Sequence, residues 1–211
     1  LPPVKPLNRV RRITAERMTF SWQTAPQVTF NMRCDMTKAV ELRQELKPEA
    51  EARGIRLTFD AMFVRAVATA LMEFPEVNSQ WVEGEGIRTF PAAHVGVAVD
   101  LGENGLIVPV IRNADSRGLF STAAELDRLV KLAREGKLGP DDYKGGTFTI
   151  TNLGLLGVES FAPVINPPEA AILAIGAIAP TPVFREGQLV ERQVAILSLT
   201  TDHRVLDGAP S

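Results

Sequence analysis

A histidine near the end of the chain is the residue best suited to chemistry. His203 comes three residues after the end of a predicted buried strand, 194–200, and Asp207 and Gly208 come four and five residues later. A histidine at a strand end can project into a cleft, and an imidazole in water has a pKa of about 6.5, so it can accept a proton at neutral pH. A thiol that gives up its proton becomes a nucleophilic thiolate. The alternative is a surface histidine in a polar turn, because Asp-Gly pairs favour turns.

A second group of polar residues lies at the end of another predicted strand. This strand covers 147–151 and is followed by Asn152 and Gly154. A hydroxyl at such a strand end can donate a hydrogen bond to a reacting carbonyl and stabilise an oxyanion. The alternative is structural, since Thr147, Thr149 and Thr151 share one face of the strand. The residue pattern alone leaves both interpretations open.

The other reactive side chains are most simply structural. His94 is one position out of step with the alternating valines of a short strand, which favours a structural or partly exposed histidine. Cys34 shares the apolar face of a strand and is interpreted as a small buried hydrophobic residue. The proline-rich segment 163–169 is expected to form a stiff loop, buried or in contact with another subunit, without chemistry of its own. The arginines of segment 8–12 are interpreted as a solvated helix face, with the alternative that one of them pairs with a buried carboxylate.

The composition excludes several functional classes. The chain has 211 residues, of which 45% are hydrophobic and 23% charged, and this fits one large globular domain. A net charge of −2 offers no basic surface for nucleic acid, and no apolar run reaches the roughly 18 residues that a membrane span requires. One cysteine excludes an internal disulfide, and with two histidines it supplies too few ligands for a structural zinc site, so no metal is expected. A lone reduced cysteine fits the bacterial cytoplasm or, alternatively, the mitochondrial matrix.

Hydrophobic periodicity predicts the elements that would position these groups. Helices are expected over 8–25, 37–53, 58–74 and 122–135, strands over 27–36, 95–99, 106–111, 147–151, 170–178 and 194–200, and hairpins over 81–90 and 183–190. Thr37 is expected to cap the second helix, and Thr122 with Glu125 to form a capping box. Pro109 implies an edge strand or a bulge, and segment 170–178 is apolar enough for a central strand. Helices and strands do not alternate regularly, which favours an α+β fold with helices on one face of a mixed sheet.

Six segments, in order along the chain, resemble the catalytic domain of the dihydrolipoyl acyltransferases, the core component of 2-oxo acid dehydrogenase complexes. They are 11–18 (RRITAERM), 23–29 (QTAPQVT), 105–111 (GLIVPVI), 146–154 (GTFTITNLG), 164–169 (VINPPE) and 202–208 (DHRVLDG). The resemblance implies the fold of chloramphenicol acetyltransferase, a two-layer sandwich with a mixed sheet. It also implies that residues 1–7 end a linker and that residues 8–211 form the acyltransferase catalytic domain, with a C-terminal helix missing.

The resemblance implies roles for the two polar strand ends. His203 would be the general base for the attacking thiol, and Thr151, a serine in many members of the family, would donate to the tetrahedral oxyanion. The acyl group would move between dihydrolipoamide and coenzyme A. Such a thioester exchange needs a base and an oxyanion donor but no metal.

The resemblance also implies a set of supporting residues. Asp207 would be structural, held by an arginine rather than paired directly with the histidine, and Arg11 is the candidate for that arginine. Asn152 and Gly208 would support the site. Leu153 stands where succinyl-transferring members tend to have glycine, which favours an acetyl or branched-chain acyl group.

Partners and cofactors follow from the same resemblance. Homotrimers would assemble into a core of roughly 24 or 60 subunits, with active sites in channels between subunits. Coenzyme A would be a substrate, no cofactor would be tightly bound in this domain, and the lipoyl group would be carried on another domain. The decarboxylase and dihydrolipoyl dehydrogenase components would bind through domains absent from this sequence. The alternatives are a stand-alone acetyltransferase of the same fold acting on a small molecule, and a non-catalytic core scaffold.

Overall fold

The computed structural model describes residues 2–4, 6–102 and 105–208, and this part of the chain forms five α-helices and eleven β-strands. The helices are α1 (Arg9–Thr24), α2 (Thr37–Ala52), α3 (Phe59–Glu73), α4 (Leu119–Arg134) and α5 (Pro140–Tyr143). The strands are β1 (Gln27–Asp35), β2 (Ser79–Val82), β3 (Gly86–Thr89), β4 (Val95–Val97), β5 (Val99–Asp100), β6 (Leu106–Ile107), β7 (Val110–Ile111), β8 (Phe148–Asn152), β9 (Ala171–Ile175), β10 (Ala179–Arg185) and β11 (Gln188–Asp202). None of the described helices is both long and apolar enough to cross a membrane.

Seven strands form one mixed sheet in the order β1-β11-β9-β8-β4-β7, with β10 paired to β11 outside this path. Strands β4, β8 and β9 run parallel to one another, and the other neighbours in this sheet are antiparallel. Strand β9 lies inside the sheet, which confirms the apolar segment 170–178 as an internal strand. Strand β7 is an edge strand, and this agrees with the expectation from Pro109, which directly precedes it.

Helices α3 and α4 pack with the sheet to form the main hydrophobic core. Helix α3 begins after Thr58, whose side chain accepts a hydrogen bond from the Ala61 N–H at 3.2 Å. Its buried residues recur at the three- and four-residue spacing of a helix face: Ala61, Val64, Ala68 and Leu71. Helix α4 buries a similar face that includes Leu126, Leu129 and Ala133. This packing confirms the expected α+β arrangement.

Two of the predicted helix caps are wrong. Helix α2 begins at Thr37, after Met36, and the Thr37 hydroxyl accepts a hydrogen bond from the Gln193 N–H at 3.1 Å instead of capping the helix. Helix α4 begins at Leu119, so Thr122 lies inside it and is buried. For Thr37, this contact with a residue distant in the sequence overrides the local capping preference. The Thr122 hydroxyl is buried within α4 and has no hydrogen-bond partner among the described residues.

The two ends of the domain meet at β11 and α1. Strand β11 pairs with β1 along its second half, from Val194 opposite Asp35 to Asp202 opposite Gln27. Helix α1 is attached through the loop 163–169, where the buried Ser21 hydroxyl donates to the Ile165 carbonyl at 2.7 Å. Residues 209–211 lie outside the described residues, and the domain boundaries stay a prediction.

Candidate active site

The turn after β11 holds His203 at the end of the sheet. Its backbone N–H donates to the Pro26 carbonyl at 2.8 Å, which ties the turn to the segment between α1 and β1. The N–H groups of Val205 and Leu206 both donate to the Asp202 carbonyl, and the Leu206 side chain is buried. The backbone is therefore fixed on both sides of the imidazole, which is 46% exposed. A held but accessible imidazole is the arrangement that a general base requires.

A partly buried ion pair flanks the histidine. Asp202 is buried, and the Arg204 guanidinium donates to both of its carboxylate oxygens, at 3.0 and 2.7 Å. These hydrogen bonds raise the pKa of Arg204. Arg204 also lies over the Trp81 ring, 5.2 Å from its centre. Asp202 and Arg204, the residues before and after His203, therefore form an ion pair with each other, and the imidazole lies outside this pair.

Asp207 lies on the exposed side of the same turn. Its Oδ1 is 3.7 Å from Nδ1 of His203, so it is in ion-pair range of the histidine although the resemblance implied an arginine partner. The Arg11 N–H donates to Oδ1 of Asn8, the residue that caps α1, at 2.7 Å, and the pairing of Arg11 with Asp207 stays a prediction. Gly208 lies against Phe30, and a Cβ atom there would be 3.6 Å from the ring, an ordinary contact. Packing within one chain therefore does not require glycine at 208.

Thr151 lies half-buried at the end of β8, next to a well-held asparagine. Asn152 donates from Nδ2 to Oδ1 of Asp60 at 2.6 Å, and its own Oδ1 accepts from the Gly154 N–H at 2.8 Å. Asn152 therefore fixes the turn that follows Thr151, which is consistent with the supporting role expected for it. Sequence reasoning missed Asp60, because a carboxylate in the first turn of a helix is common whatever its function.

The register of the sheet separates Thr151 from His203 in one chain. Thr151 is level with Ala174 on β9 and thereby with Ser198 on β11, five residues before His203. Five residues of strand and two strand spacings correspond to roughly 16 Å and 10 Å, so the two Cα atoms lie roughly 19 Å apart. A thiol activated by His203 is therefore out of reach of the hydroxyl of the same chain's Thr151.

A buried carboxyl group lies in the loop 163–169. Glu169 is 6% exposed, its Oε1 accepts from Nδ2 of Asn166 at 3.1 Å, and its Oε2 has no hydrogen-bond partner among the described residues. Burial raises the pKa of Glu169 to about 8, although hydrogen bonds from Thr149 and Asn166 and the charge of Arg17 act in the opposite direction. The loop, expected to have no chemistry of its own, thus carries a group that titrates near neutral pH.

A cavity of about 490 Å³ lies between α1 and this loop. Its lining includes Phe20, Ser21, Trp81, Glu169, Asp202 and Arg204. Because Asp202 and Arg204 flank His203, the cavity adjoins the histidine turn. The buried Glu169 carboxyl group and the ion pair of Asp202 with Arg204 therefore border the same cavity.

The other histidine and the cysteine have different surroundings. His94 accepts a hydrogen bond at Nδ1 from the Asn113 N–H at 3.0 Å, and burial together with the charge of Arg112 lowers its pKa, which favours the neutral imidazole. This contact agrees with the structural role expected for His94. Cys34, expected to be buried, is only half-buried, and this burial raises its pKa. Within the described ranges, no three His, Cys, Asp or Glu side chains are grouped so that they could hold a metal ion.

Comparisons with known proteins address the family. Residues 3–211 match the family model described as 2-oxoacid dehydrogenases acyltransferase (catalytic domain). The chain is 44% identical, over 98% of its length and 52% of the relative's, to the dihydrolipoyllysine-residue acetyltransferase component of the acetoin cleaving system of Bacillus subtilis. The chain spans about half the length of the curated relatives it matches.

Solved structures agree with this assignment. The dihydrolipoamide acetyltransferase of Azotobacter vinelandii, solved to investigate a serine, a histidine and an asparagine in its catalytic mechanism, matches with a TM-score of 0.93 and 36% identity, covering 100% of this chain and 92% of that chain. The cubic core of the pyruvate dehydrogenase multienzyme complex matches with a TM-score of 0.93 and 35% identity over the same shares. Chloramphenicol acetyltransferase, at 17% identity, a TM-score of 0.53 and coverage of 92% and 88%, confirms the sandwich fold alone. By sequence and by fold, this chain belongs to the 2-oxoacid dehydrogenase acyltransferase catalytic domain family.

Proposed function

We propose that this chain is a dihydrolipoamide acyltransferase that moves an acetyl or branched-chain acyl group between dihydrolipoamide and coenzyme A. One observation carries the proposal: a hydroxyl, a histidine and a carboxyl group occur at the spacings of the three residues studied in the related enzyme. In the A. vinelandii enzyme, the serine and histidine are 52 residues apart, and the histidine and asparagine are four apart. Thr151, His203 and Asp207 have the same two spacings in a chain of the same fold.

The base in this reaction is Nε2 of His203. The Asp207 carboxylate, 3.7 Å from Nδ1, favours a proton on that nitrogen and leaves the lone pair on Nε2. Nε2 takes the proton of the attacking thiol, and the thiolate sulfur forms a bond to the thioester carbonyl carbon. The tetrahedral oxyanion accepts a hydrogen bond from the Thr151 hydroxyl. Its collapse breaks the bond to the departing sulfur, which receives the proton from Nε2, so the reaction is balanced and reversible.

The reaction takes place between two copies of the chain. The separation of roughly 19 Å between Thr151 and His203 within one chain supports a site to which one copy gives the base and another gives the oxyanion donor. Two large apolar side chains shortly after the end of β8, Leu155 and Leu156, are 86% and 78% exposed. This exposure supports contact with a neighbouring copy of the chain near Thr151. Cyclic symmetry repeats such a shared site once for each copy.

The proposed assembly is a homotrimer that builds a larger core. A relative of the same fold forms the cubic core of a pyruvate dehydrogenase complex, which supports a core assembly of about 24 subunits, with about 60 as the alternative. Coenzyme A is a substrate, no cofactor is tightly bound, and the lipoyl group is carried on another domain. Other domains bind the decarboxylase and dihydrolipoyl dehydrogenase components. The proposed location is the bacterial cytoplasm, with the mitochondrial matrix as the alternative.

The activity is tested with a panel of acyl-CoA donors and dihydrolipoamide as acceptor. Acetyl-CoA or a branched-chain acyl-CoA is expected to react faster than succinyl-CoA, and the faster of the two identifies the acyl group. Absence of transfer from every donor by a folded, assembled protein would contradict the proposal and favour the scaffold. Transfer to small-molecule acceptors but not to dihydrolipoamide would favour the stand-alone acetyltransferase.

The two histidines provide a matched pair of variants. His203→Asn is expected to lower kcat about 10²–10⁴-fold because it removes the base. His94→Asn keeps an acceptor for the Asn113 N–H and is expected to leave kcat unchanged. A folded His203→Asn protein with the kcat of the unmodified enzyme would contradict the assignment of the base.

Mixed assemblies test whether the site is shared. Thr151→Ala and His203→Asn proteins are each expected to be nearly inactive alone, the first by about 10²–10³-fold. When the two are co-expressed in equal amounts, a shared site combines an intact histidine and an intact threonine in about one quarter of cases. Recovery of activity at this level supports the shared site, whereas no recovery in mixed particles would contradict it.

A further inference from the structure

A carboxylate outside the proposed catalytic residues is joined directly to the end of β8. Asp60, in the first turn of α3, accepts a hydrogen bond on Oδ1 from Nδ2 of Asn152 at 2.6 Å. The hydrogen bond joins residues that are 92 positions apart, and both side chains are partly buried. A hydrogen bond from an amide to a carboxylate is charge-assisted, and bonds of this class are shorter and stronger than those between neutral groups.

The other side of Asn152 is also fixed. Its Oδ1 accepts from the Gly154 N–H at 2.8 Å, so the amide group has no freedom to rotate without losing a hydrogen bond. Gly154 in turn lies tightly against the end of β9, because a Cβ atom there would be 2.5 Å from the Gly176 carbonyl oxygen. The Leu153 N–H donates to the Ile175 carbonyl at 3.3 Å. The backbone after Thr151 is thus held by β9 on one side and by α3 on the other.

We propose that Asp60 is a positioning residue for acyl transfer, which holds Asn152 so that the end of β8 presents the Thr151 hydroxyl to the oxyanion. The inference rests on the proposed function. An oxyanion donor is effective only when its position is fixed before the reaction, and a small displacement of such a group can cost about 10²-fold in rate. Asp60 is suited to this role because a helix holds its backbone rigidly.

A purely structural role for Asp60 makes a different prediction. A carboxylate in the first helical turn also stabilises α3 through the positive end of the helix dipole. That role requires the charge but not the contact with Asn152. Asp60→Asn removes the charge and keeps an acceptor for Nδ2 of Asn152, whereas Asp60→Ala removes both.

The experiment measures kcat and KM for acetyl-CoA in the assembled protein, both with Thr151 intact and in the Thr151→Ala variant. Asp60→Ala is expected to lower kcat about 10-fold with little change in KM, because it affects a group that acts on the transition state. Asp60→Asn is expected to retain most of kcat. In the Thr151→Ala background, Asp60→Ala is expected to cause no further loss, since the hydroxyl that it positions is already absent.

Two further variants keep the test decisive. Asp115→Ala removes a carboxylate that accepts a hydrogen bond from the Ala93 N–H at 2.9 Å, a similar structural contact, and is expected to leave kcat unchanged. If Asp60→Ala does not fold, Asn152→Ala removes the same hydrogen bond, together with the one from the Gly154 N–H, and leaves the charge on α3. A loss of kcat at least as large is then expected. An equal loss in both backgrounds, or unchanged kcat in folded variants, would overturn the positioning role alone. No transfer by the unmodified protein would overturn the proposed function and this inference with it.

Discussion

Replacing Glu169 with glutamine should make the protein more stable at neutral pH. Glutamine has the same size and keeps the oxygen that accepts from Asn166, but it cannot ionise. The folded chain holds the Glu169 carboxyl group away from water, and its pKa is raised to about 8 from the ordinary value of 4.5. The unfolded chain releases this proton above pH 4.5, whereas the folded chain keeps it until about pH 8.

The size of the effect follows from the two pKa values. Below pH 4.5 the carboxyl group is protonated in both states and favours neither. As the pH rises from 4.5 towards 8, the unfolded state binds fewer protons than the folded state, so the free energy of unfolding falls. Each pH unit costs about 1.4 kcal/mol, and at pH 7 the accumulated loss is about 3 kcal/mol. Glu169→Gln removes this loss and should raise the melting temperature at pH 7 by roughly 6–12 °C for a chain of this size.

The assay is urea unfolding and thermal melting at one protein concentration, from pH 4.5 to pH 8.5. The two proteins should be equally stable at the acidic end and diverge as the pH rises. Glu41→Gln, which changes an exposed glutamate, is the control and should shift stability little at any pH. A glutamine variant that is less stable at pH 7, or a difference that does not depend on pH, would refute the reasoning. Either result would mean that burial does not keep this carboxyl group protonated at neutral pH in the folded protein.

Two further substitutions test packing near the site. Gly176→Ala places a methyl group where it overlaps the Glu159 carbonyl oxygen, so a loss of more than about 4 kcal/mol in the free energy of unfolding, or failure to fold, is expected in melting experiments. Gly118→Ala, with open space around its Cβ position, should melt within a few degrees of the unmodified protein. Arg204→Lys loses the two-oxygen contact with buried Asp202 and should cost about 1–3 kcal/mol, with a lower kcat as well. Unchanged melting and kcat would show that the ion pair does not hold the histidine turn.

Local patterns in the sequence were sufficient for most of the elements. Alternating side chains predicted β1, and apolar runs predicted β9 as an internal strand, because periodicity and burial are written residue by residue. The predicted cap at Thr37 failed for the opposite reason. A hydroxyl bonds to the best donor nearby, and for Thr37 that donor is the N–H of Gln193, more than a hundred residues away in the sequence.

The sequence by itself determined which reactive groups are available and which family they resemble, because His203 and Thr151 lie in segments whose order and spacing can be read directly. Only the tertiary structure decided which groups are neighbours. Strand register separates Thr151 from His203 by roughly 19 Å, and the packing of α3 joins Asp60 to Asn152. Enclosure by distant parts of the chain removes water from Glu169 and raises its pKa. Distance, burial and pKa depend on residues far apart in the chain, so no local pattern encodes them.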